Sequence, residues 1–357
     1  MNSQTRDQII NDLNFLRIEA GSFFMGTLWD RDHMEYLMKK YMVFVDWFIK
    51  EAPQRNIYLR EYEISEIPVT FDMLRVFIKE TQYASAGMPE LLKKNVRNSP
   101  GNHPVYPVTV EVAEAFCQWL GMDDDRFMYD LPTEEEWEKA ARSTDAREFP
   151  WGDAEEPQRI NTREFGPGHV LPVRHTFSQD SPYGLFDLAG NVEEMTRSFN
   201  APYPGMPIQI PEYLRYRILR GGTTEHQLDL ARCARRHGKH PSRFTGFRVV
   251  RRLQPVAPTN ALKPFVPKQG DWIYASIHYV NANEVSVDLG DGRNGVAPAN
   301  EFTAHDFQVF ASLHSRSEII LKIVDDSGDT FVCQRPDLDE IDQLMRKLSF
   351  DKPIQTF

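Results

Sequence analysis

Cysteine is scarce in this chain. Three in 357 residues, Cys117, Cys233 and Cys333, are too few and too scattered for a disulfide framework or a thiolate metal site. Long apolar runs are missing as well, which excludes a helical membrane span. The opening stretch MNSQTRDQIINDLNF has neither an apolar block nor a cleavage-type ending, so no secretory signal is expected and a cytoplasmic setting is the simplest reading. Internal repeats and low-complexity tracts are absent. Excess positive charge is lacking too: the net charge is −11, which argues against a chain that coats nucleic acid or an anionic membrane.

What is present is the balance of a globular protein, with 41% hydrophobic and 26% charged residues, enough to bury a core in one large or two ordinary domains. The charge is unevenly spread. Residues 214–252 hold eleven Lys or Arg against two acids, Glu225 and Asp229. Two readings stand equal at this point: a contact surface for an anionic or protein partner, or arginines that pair with acids elsewhere in the fold.

Alternation and a glycine break predict a strand entering a turn over residues 15–25, and a second strand over 58–69. Between them, residues 31–50 carry Met34, Leu37, Met38, Tyr41, Met42, Val45, Phe48 and Ile49 at three-and-four spacing. That predicts an amphipathic helix, packed on its own domain or, alternatively, docking a partner. Thr70 is placed to cap a helix carrying Leu74, Phe77 and Ile78, and residues 111–120 repeat the pattern. Thr133 and Glu136 form a capping box opening a helix through Arg142. From 147 to 252 the chain is dominated by loops, the usual carriers of function on a rigid scaffold. Residues 254–269 hold four prolines and predict a linker. After it, alternation over 271–288, a Gly-Asp-Gly turn and further short strands predict a small all-β barrel, and residues 337–348 a closing amphipathic helix.

Several blocks in order resemble the formylglycine-generating-enzyme, or sulfatase-modifying-factor, family. They are IEAGSF at 18–23 with Met25-Gly26, EAP at 51–53, IPVT at 67–70, HPV at 103–105 and AFCQW at 115–119. LPTEEEWE at 131–138, FPWGD at 149–153, GLFDLAGNV at 184–192, LRGG at 219–222 and GFRVV at 246–250 follow. The resemblance implies a C-type-lectin-like domain over 1–253 with an extra helix at 31–50; with the linker at 254–269 and, over 270–357, a barrel that more loosely resembles an OB-fold repeat plus a terminal helix, the expected fold class is α+β. The family's parent activity oxidises a cysteine with oxygen and copper held by two cysteines just after the double glycine. A thiolate pair suits soft Cu(I). Here that stretch is shorter, and its one cysteine, Cys233, matches a structural position, so copper and the oxidase activity are not expected.

The resemblance also implies that Cys117 and Cys233 have lost disulfide partners, at Val249 and at an alanine of the 139–142 run. Both thiols are then expected as small buried hydrophobes. Calcium is implied at the turn 190–195, with Asn191 and Glu194 as its ligands, while Glu193 and Met195 replace two tryptophans. A second calcium site keeps Asn161 but lacks its aspartate. Related branches use non-haem iron, with histidines mostly in a separate helical domain that is not recognisable here, so iron is not expected. Glu225, His226, His237 and His240 offer a histidine/carboxylate set, but arginine-rich surroundings favour ordinary surface histidines.

The leading functional expectation is a non-catalytic recognition or adaptor protein. Its contact residues would be Arg232, Arg235, Arg236 and His240, and the resemblance extends to accessory components of bacterial sensing or defence systems. The alternative is an enzyme of altered chemistry, a metal-dependent oxidoreductase of the formylglycine or sulfoxide-synthase type. It would use Thr223, Glu225, His226 and His237, with Glu225 or His226 as base and Arg235 holding an anion. A third reading is an RNA-associated adaptor acting through the barrel, which resembles a ribosomal RNA-binding repeat. Residues 270–335 carry ten acids against four Lys or Arg, and Asn281–Glu284 replaces the usual stacking aromatics, so nucleic acid is not expected. Trp272, Tyr274, His278 and Tyr279 are expected in core packing rather than base stacking.

Overall fold

The computed structural model describes residues 3–83, 87–174, 181–211, 216–238, 243–253, 265–290, 293–312, 318–328, 330–349 and 355–356. The expected linker falls largely on residues 254–264, outside the described set.

The expected strands over 15–25 and 58–69 each split in two, because the chain changes sheet within them. Phe15–Ile18 pairs antiparallel with Tyr62–Ser65, in a four-stranded sheet completed by Val250–Arg252 and Met128–Asp130. Gly21–Met25 instead pairs antiparallel with Arg55–Leu59 in a second sheet, which Gln355–Thr356 completes in parallel on the far side of Arg55–Leu59. A third sheet, ordered His237–Gly238, Arg217–Arg220, Glu193–Phe199, Thr245–Gly246, carries most of the residues of functional interest.

Helices start where the caps place them. Thr70 accepts from the Met73 amide ahead of Phe71–Thr81, and Thr109 from the Val112 amide ahead of Val110–Leu120. The Thr133–Glu136 capping box is closed in both directions, at 3.2 and 2.8 Å. The helix it opens, Glu134–Arg142, is buried along its whole length although six of its nine residues are charged. Buried charge persists only when paired and hydrogen-bonded, so this helix demands cations from elsewhere in the fold.

The insert at 31–50 is two helices, Arg31–Tyr41 and Val45–Ile49, in place of the single helix expected. Met42 adopts a left-handed conformation (φ 52°) and Phe44 turns away into the core of the barrel. That barrel is closed and five-stranded, built from Trp272–Val280, Glu284–Gly290, Arg293–Pro298, Glu318–Asp325 and Thr330–Gln334. Counted along the chain, its neighbours run first, second, third, fifth, fourth, and the fourth closes onto the first. Ala304–Ser312 forms a helix between the third and fourth strands, and Leu338–Ser349 follows the fifth.

The insert joins the two halves of the chain. Asp46, fully buried, takes both guanidinium nitrogens of Arg335 at 2.6 and 2.7 Å, and its carboxylate also accepts from the Ile320 amide. Lys50 pairs with Glu318, Arg31 with Asp339, and Trp29 donates to Asp342 at 3.0 Å. Val45 and Ile49 share an apolar cluster with Tyr274, Ile320, Ile341 and Met345. Apart from Tyr36, which is exposed, the apolar residues of 31–50 are therefore packed within the chain itself. Among the described residues, no helix is long and apolar enough to cross a membrane.

Candidate functional site

The basic segment answers the demand of the buried acidic helix. Arg236 makes a two-pronged pair with Glu134 at 2.7 and 2.8 Å, and Arg220 bridges Glu134 and Glu138 at 3.0 Å. Arg252 is bidentate on Glu136 at 2.6 Å, and Arg248 on Glu194. Arg232 reaches Glu51 and Asp229 at 2.8 Å, and Arg235 takes Asp229 at 2.6 Å. Arg217, Arg243 and Arg251 pair with Glu114, Glu225 and Glu63. Burial opposes the charge on Glu134, yet Arg236 and Arg220 hold its carboxyl below the ordinary range. Glu135, next to it, is pushed up to about 7 by burial and by the charge of Glu134.

This corrects one expectation. Arg232, Arg235 and Arg236, expected to contact a ligand, are buried and face the protein's own carboxylates. His240 lies outside the described residues. Asn191 and Glu194, expected to hold calcium together with backbone oxygens, have protein partners in the structure. Glu194 accepts from Trp137 Nε1 at 2.6 Å and from Arg248, and it faces the core. Asn191 Oδ1 accepts from Asn161 Nδ2 at 2.9 Å and the Leu171 amide at 2.8 Å, while its Nδ2 donates to Leu171 O. Side-chain oxygens already taken by N–H donors do not fit a hard cation that needs free oxygen ligands. Asn191, at φ 67°, holds its turn instead.

The three thiols are free and buried, each in a different apolar cluster. Cys117 packs in the cluster of Val249, Cys233 in that of Ala140 and Ala141, and Cys333 in the barrel. Burial pushes all three up from the ordinary thiol range, Cys333 to about 12. A soft copper ion needs a thiolate pair, and these thiols do not supply one.

Of the four residues proposed for an altered enzyme, the structure brings two together. His226 lies on the turn after Gly221-Gly222, whose φ values of +89° and +71° and close approach to Leu188 and Leu230 leave room for no Cβ. Its amide donates to Thr223 O at 3.0 Å, and its carbonyl accepts from the Arg163 amide at 3.0 Å. His237 opens a short strand in register with Leu219. Their rings meet edge to face at 5.2 Å. Between them stands Glu193, whose Oε2 is 2.7 Å from His237 Nδ1 and 3.8 Å from His226 Nδ1. Thr245 Oγ1 donates to the other carboxylate oxygen at 3.2 Å. Thr223 is buried and its hydroxyl accepts from the Glu225 amide, whereas Glu225 points to the surface and pairs with Arg243.

Glu193 escaped the sequence reading, in which it figured only as a lost tryptophan. The available signal was strand alternation. Adjacent side chains on Glu193–Phe199 face opposite ways, so with Glu194 turned to the core, Glu193 turns to the histidines.

A mixed α/β scaffold in which two strands of one sheet and a nearby turn bring together two imidazoles and a carboxylate, with no thiolate pair, is thus the class that fold and site define. Residues 4–253 match the family described as the sulfatase-modifying factor enzyme 1-like domain, and the chain belongs to that family. Among curated relatives, it is 34% identical over 163 residues to serine/threonine-protein kinase pkn1 of Chlamydia pneumoniae, covering 42% of this chain and 24% of that protein. It is 28% identical over 241 residues to hercynine oxygenase of Mycolicibacterium smegmatis (56% and 55% covered). It is 29% identical over 198 residues to inactive C-alpha-formylglycine-generating enzyme 2 of Bos taurus (42% and 63%). The chain thus spans less than two thirds of the length of these relatives. The solved structure of PvdO from Pseudomonas aeruginosa shares the fold, with a TM-score of 0.51 at 23% identity over 67% of this chain and 94% of that one. The barrel lies beyond the matched residues.

Proposed function

We propose that this chain is a non-catalytic recognition or adaptor protein, in which a C-type-lectin-like scaffold presents its loops at 147–252 to a protein partner. One observation carries the reading: the three thiols are buried, un-ionised and in separate clusters, so the parent oxidation has neither ligands nor nucleophile. The neutralised arginines weigh toward a protein rather than an anionic ligand. A relative whose name marks it as inactive supports the same direction. Three free thiols support a reducing, cytoplasmic setting.

The barrel fits this reading as a brace. Its strand order, with a helix between the third and fourth strands, supports the OB-like description. Of the aromatics considered for base stacking, Tyr274 is buried beneath Lys50, whereas His278 and Tyr279, expected in the core, stand exposed, Tyr279 donating to Glu284 at 2.6 Å; around them residues 270–335 carry ten acids against four Lys or Arg. That weighs against RNA and for a protein-contact or spacer role.

The test has two arms. Purified chain given a cysteinyl peptide, Cu(I) and air is expected to consume oxygen at the background rate, and turnover would overturn the reading. Cross-linking in native lysate is expected to trap one defined protein, and its absence would count equally against it.

A further inference from the structure

We infer that Glu193, His226 and His237 form a binding site for one divalent first-row transition ion. The three residues each offer a ligand atom, and these atoms all lie within 4.8 Å of one another. Around a single tetrahedral ion with metal–nitrogen bonds of about 2.1 Å, ligand atoms sit about 3.4 Å apart. Side-chain adjustment of about an ångström therefore closes the set, without movement of the backbone.

The backbone is held at all three positions. Glu193 pairs in register with Thr245, and its amide donates to Phe244 O at 3.1 Å. His237 is fixed by strand pairing with Leu219, and His226 by hydrogen bonds at both its amide and its carbonyl. Segments distant in sequence converge on one point, which is how preorganised ligand sets are built. Thr245 supplies an outer partner. By donating to Oε1 it fixes the carboxylate plane and leaves Oε2 directed at both imidazoles, the arrangement that orients ligands in metal centres.

Burial is graded as an open site requires. The Glu193 side chain is fully buried, while those of His226 and His237 are 23% and 20% exposed, so an ion enters from the imidazole side. Three protein ligands leave coordination positions there for water or a small ligand. The donor set selects the ion. Two imidazoles and a carboxylate with no sulfur suit Zn²⁺, Fe²⁺ or Co²⁺, and neither Cu(I) nor Ca²⁺. The competing account is a carboxylate hydrogen-bonded to His237, with His226 3.8 Å away, and no ion among them. The site stands independently of the recognition reading, because a bound ion is compatible with catalysis or with binding alone.

The experiment is titration of the full chain, stripped with chelator, with Zn²⁺ by calorimetry and with Co²⁺ by visible ligand-field absorption. One ion per chain is expected. Changes in outer partners alone commonly weaken metal sites about 10–100-fold. Thr245→Val is therefore expected to weaken binding about 10-fold, and His226→Gln or His237→Gln at least about 100-fold, with the cobalt bands lost. His278→Gln, a substitution on the exposed face of the barrel, is expected to leave both signals unchanged. Each variant's metal-free melting temperature is measured alongside. If a histidine variant does not fold, Thr245→Val, which keeps every ligand, decides the matter. Absence of stoichiometric binding, or equal affinity in wild type and folded variants, overturns the site and leaves the hydrogen-bonded cluster as its explanation.

Discussion

Replacing Asp46 by alanine should separate the barrel from the rest of the chain. Asp46 takes two charge-assisted hydrogen bonds from Arg335 at 2.6 and 2.7 Å, and both side chains are buried. Removing one partner of such a pair costs about 3–5 kcal/mol, because the remaining charge stays buried without its counter-ion. Asp306, 3.4 Å from the same guanidinium, retains part of the compensation and places the expected loss near the lower end, about 3 kcal/mol. Trp29 and Trp47 flank the junction, so urea unfolding followed by tryptophan fluorescence reports on it directly. The wild-type transition is expected to divide in the variant, with the barrel melting first and becoming sensitive to limited proteolysis. Arg335→Met alone should cost a similar amount, while Asp46→Ala with Arg335→Met should recover most of it. The double-mutant cycle decides. A coupling below about 0.5 kcal/mol, within ordinary additivity, would refute the claim that this pair holds the two halves together.

The remaining expectations concern titration, reactivity and charge. Glu135 keeps its proton up to about pH 7 in the folded chain and loses it near pH 4.5 when unfolded, so the native state binds more protons between those values. Stability should therefore fall from pH 4.5 to pH 7 relative to Glu135→Gln, by about 3 kcal/mol in all; parallel pH curves for the two proteins would contradict this. Cys117, Cys233 and Cys333 should resist a thiol reagent at pH 7.5 until denaturant is added, and rapid native labelling would contradict their burial. Titration with single-stranded RNA at low salt should be flat, since the described arginines of the basic segment face carboxylates; a salt-dependent affinity would restore the nucleic-acid reading.

Local signals were legible in the sequence and distant ones were not. Thr70 and the Thr133–Glu136 box act within three residues of themselves, so their cap chemistry could be read directly. The break in the insert was hidden because Met42, Val43 and Phe44 continue an apolar rhythm. What stops the helix is the barrel core that receives Phe44, more than two hundred residues away in sequence. The basic segment left two readings open for the same reason. Arg236 and Glu134 are 102 positions apart, and only the folded chain brings them to 2.7 Å. His226 and His237 were read as candidates, but their carboxylate was not, because Glu193 joins them through strand pairing across 44 positions.

The insert also sets an order of events during synthesis. Residues 31–50 leave the ribosome more than two hundred residues ahead of the barrel strands that cover Phe44, Val45 and Ile49. At about 5–20 residues per second the intervening chain takes tens of seconds to make. Throughout that interval the nascent protein displays an apolar ridge with no cover, and it carries Asp46 with no arginine to meet it. A chain halted near residue 253 would contain every residue matched to the family and still be unfinished. It would be a natural client for chaperones, and expressed by itself it should aggregate.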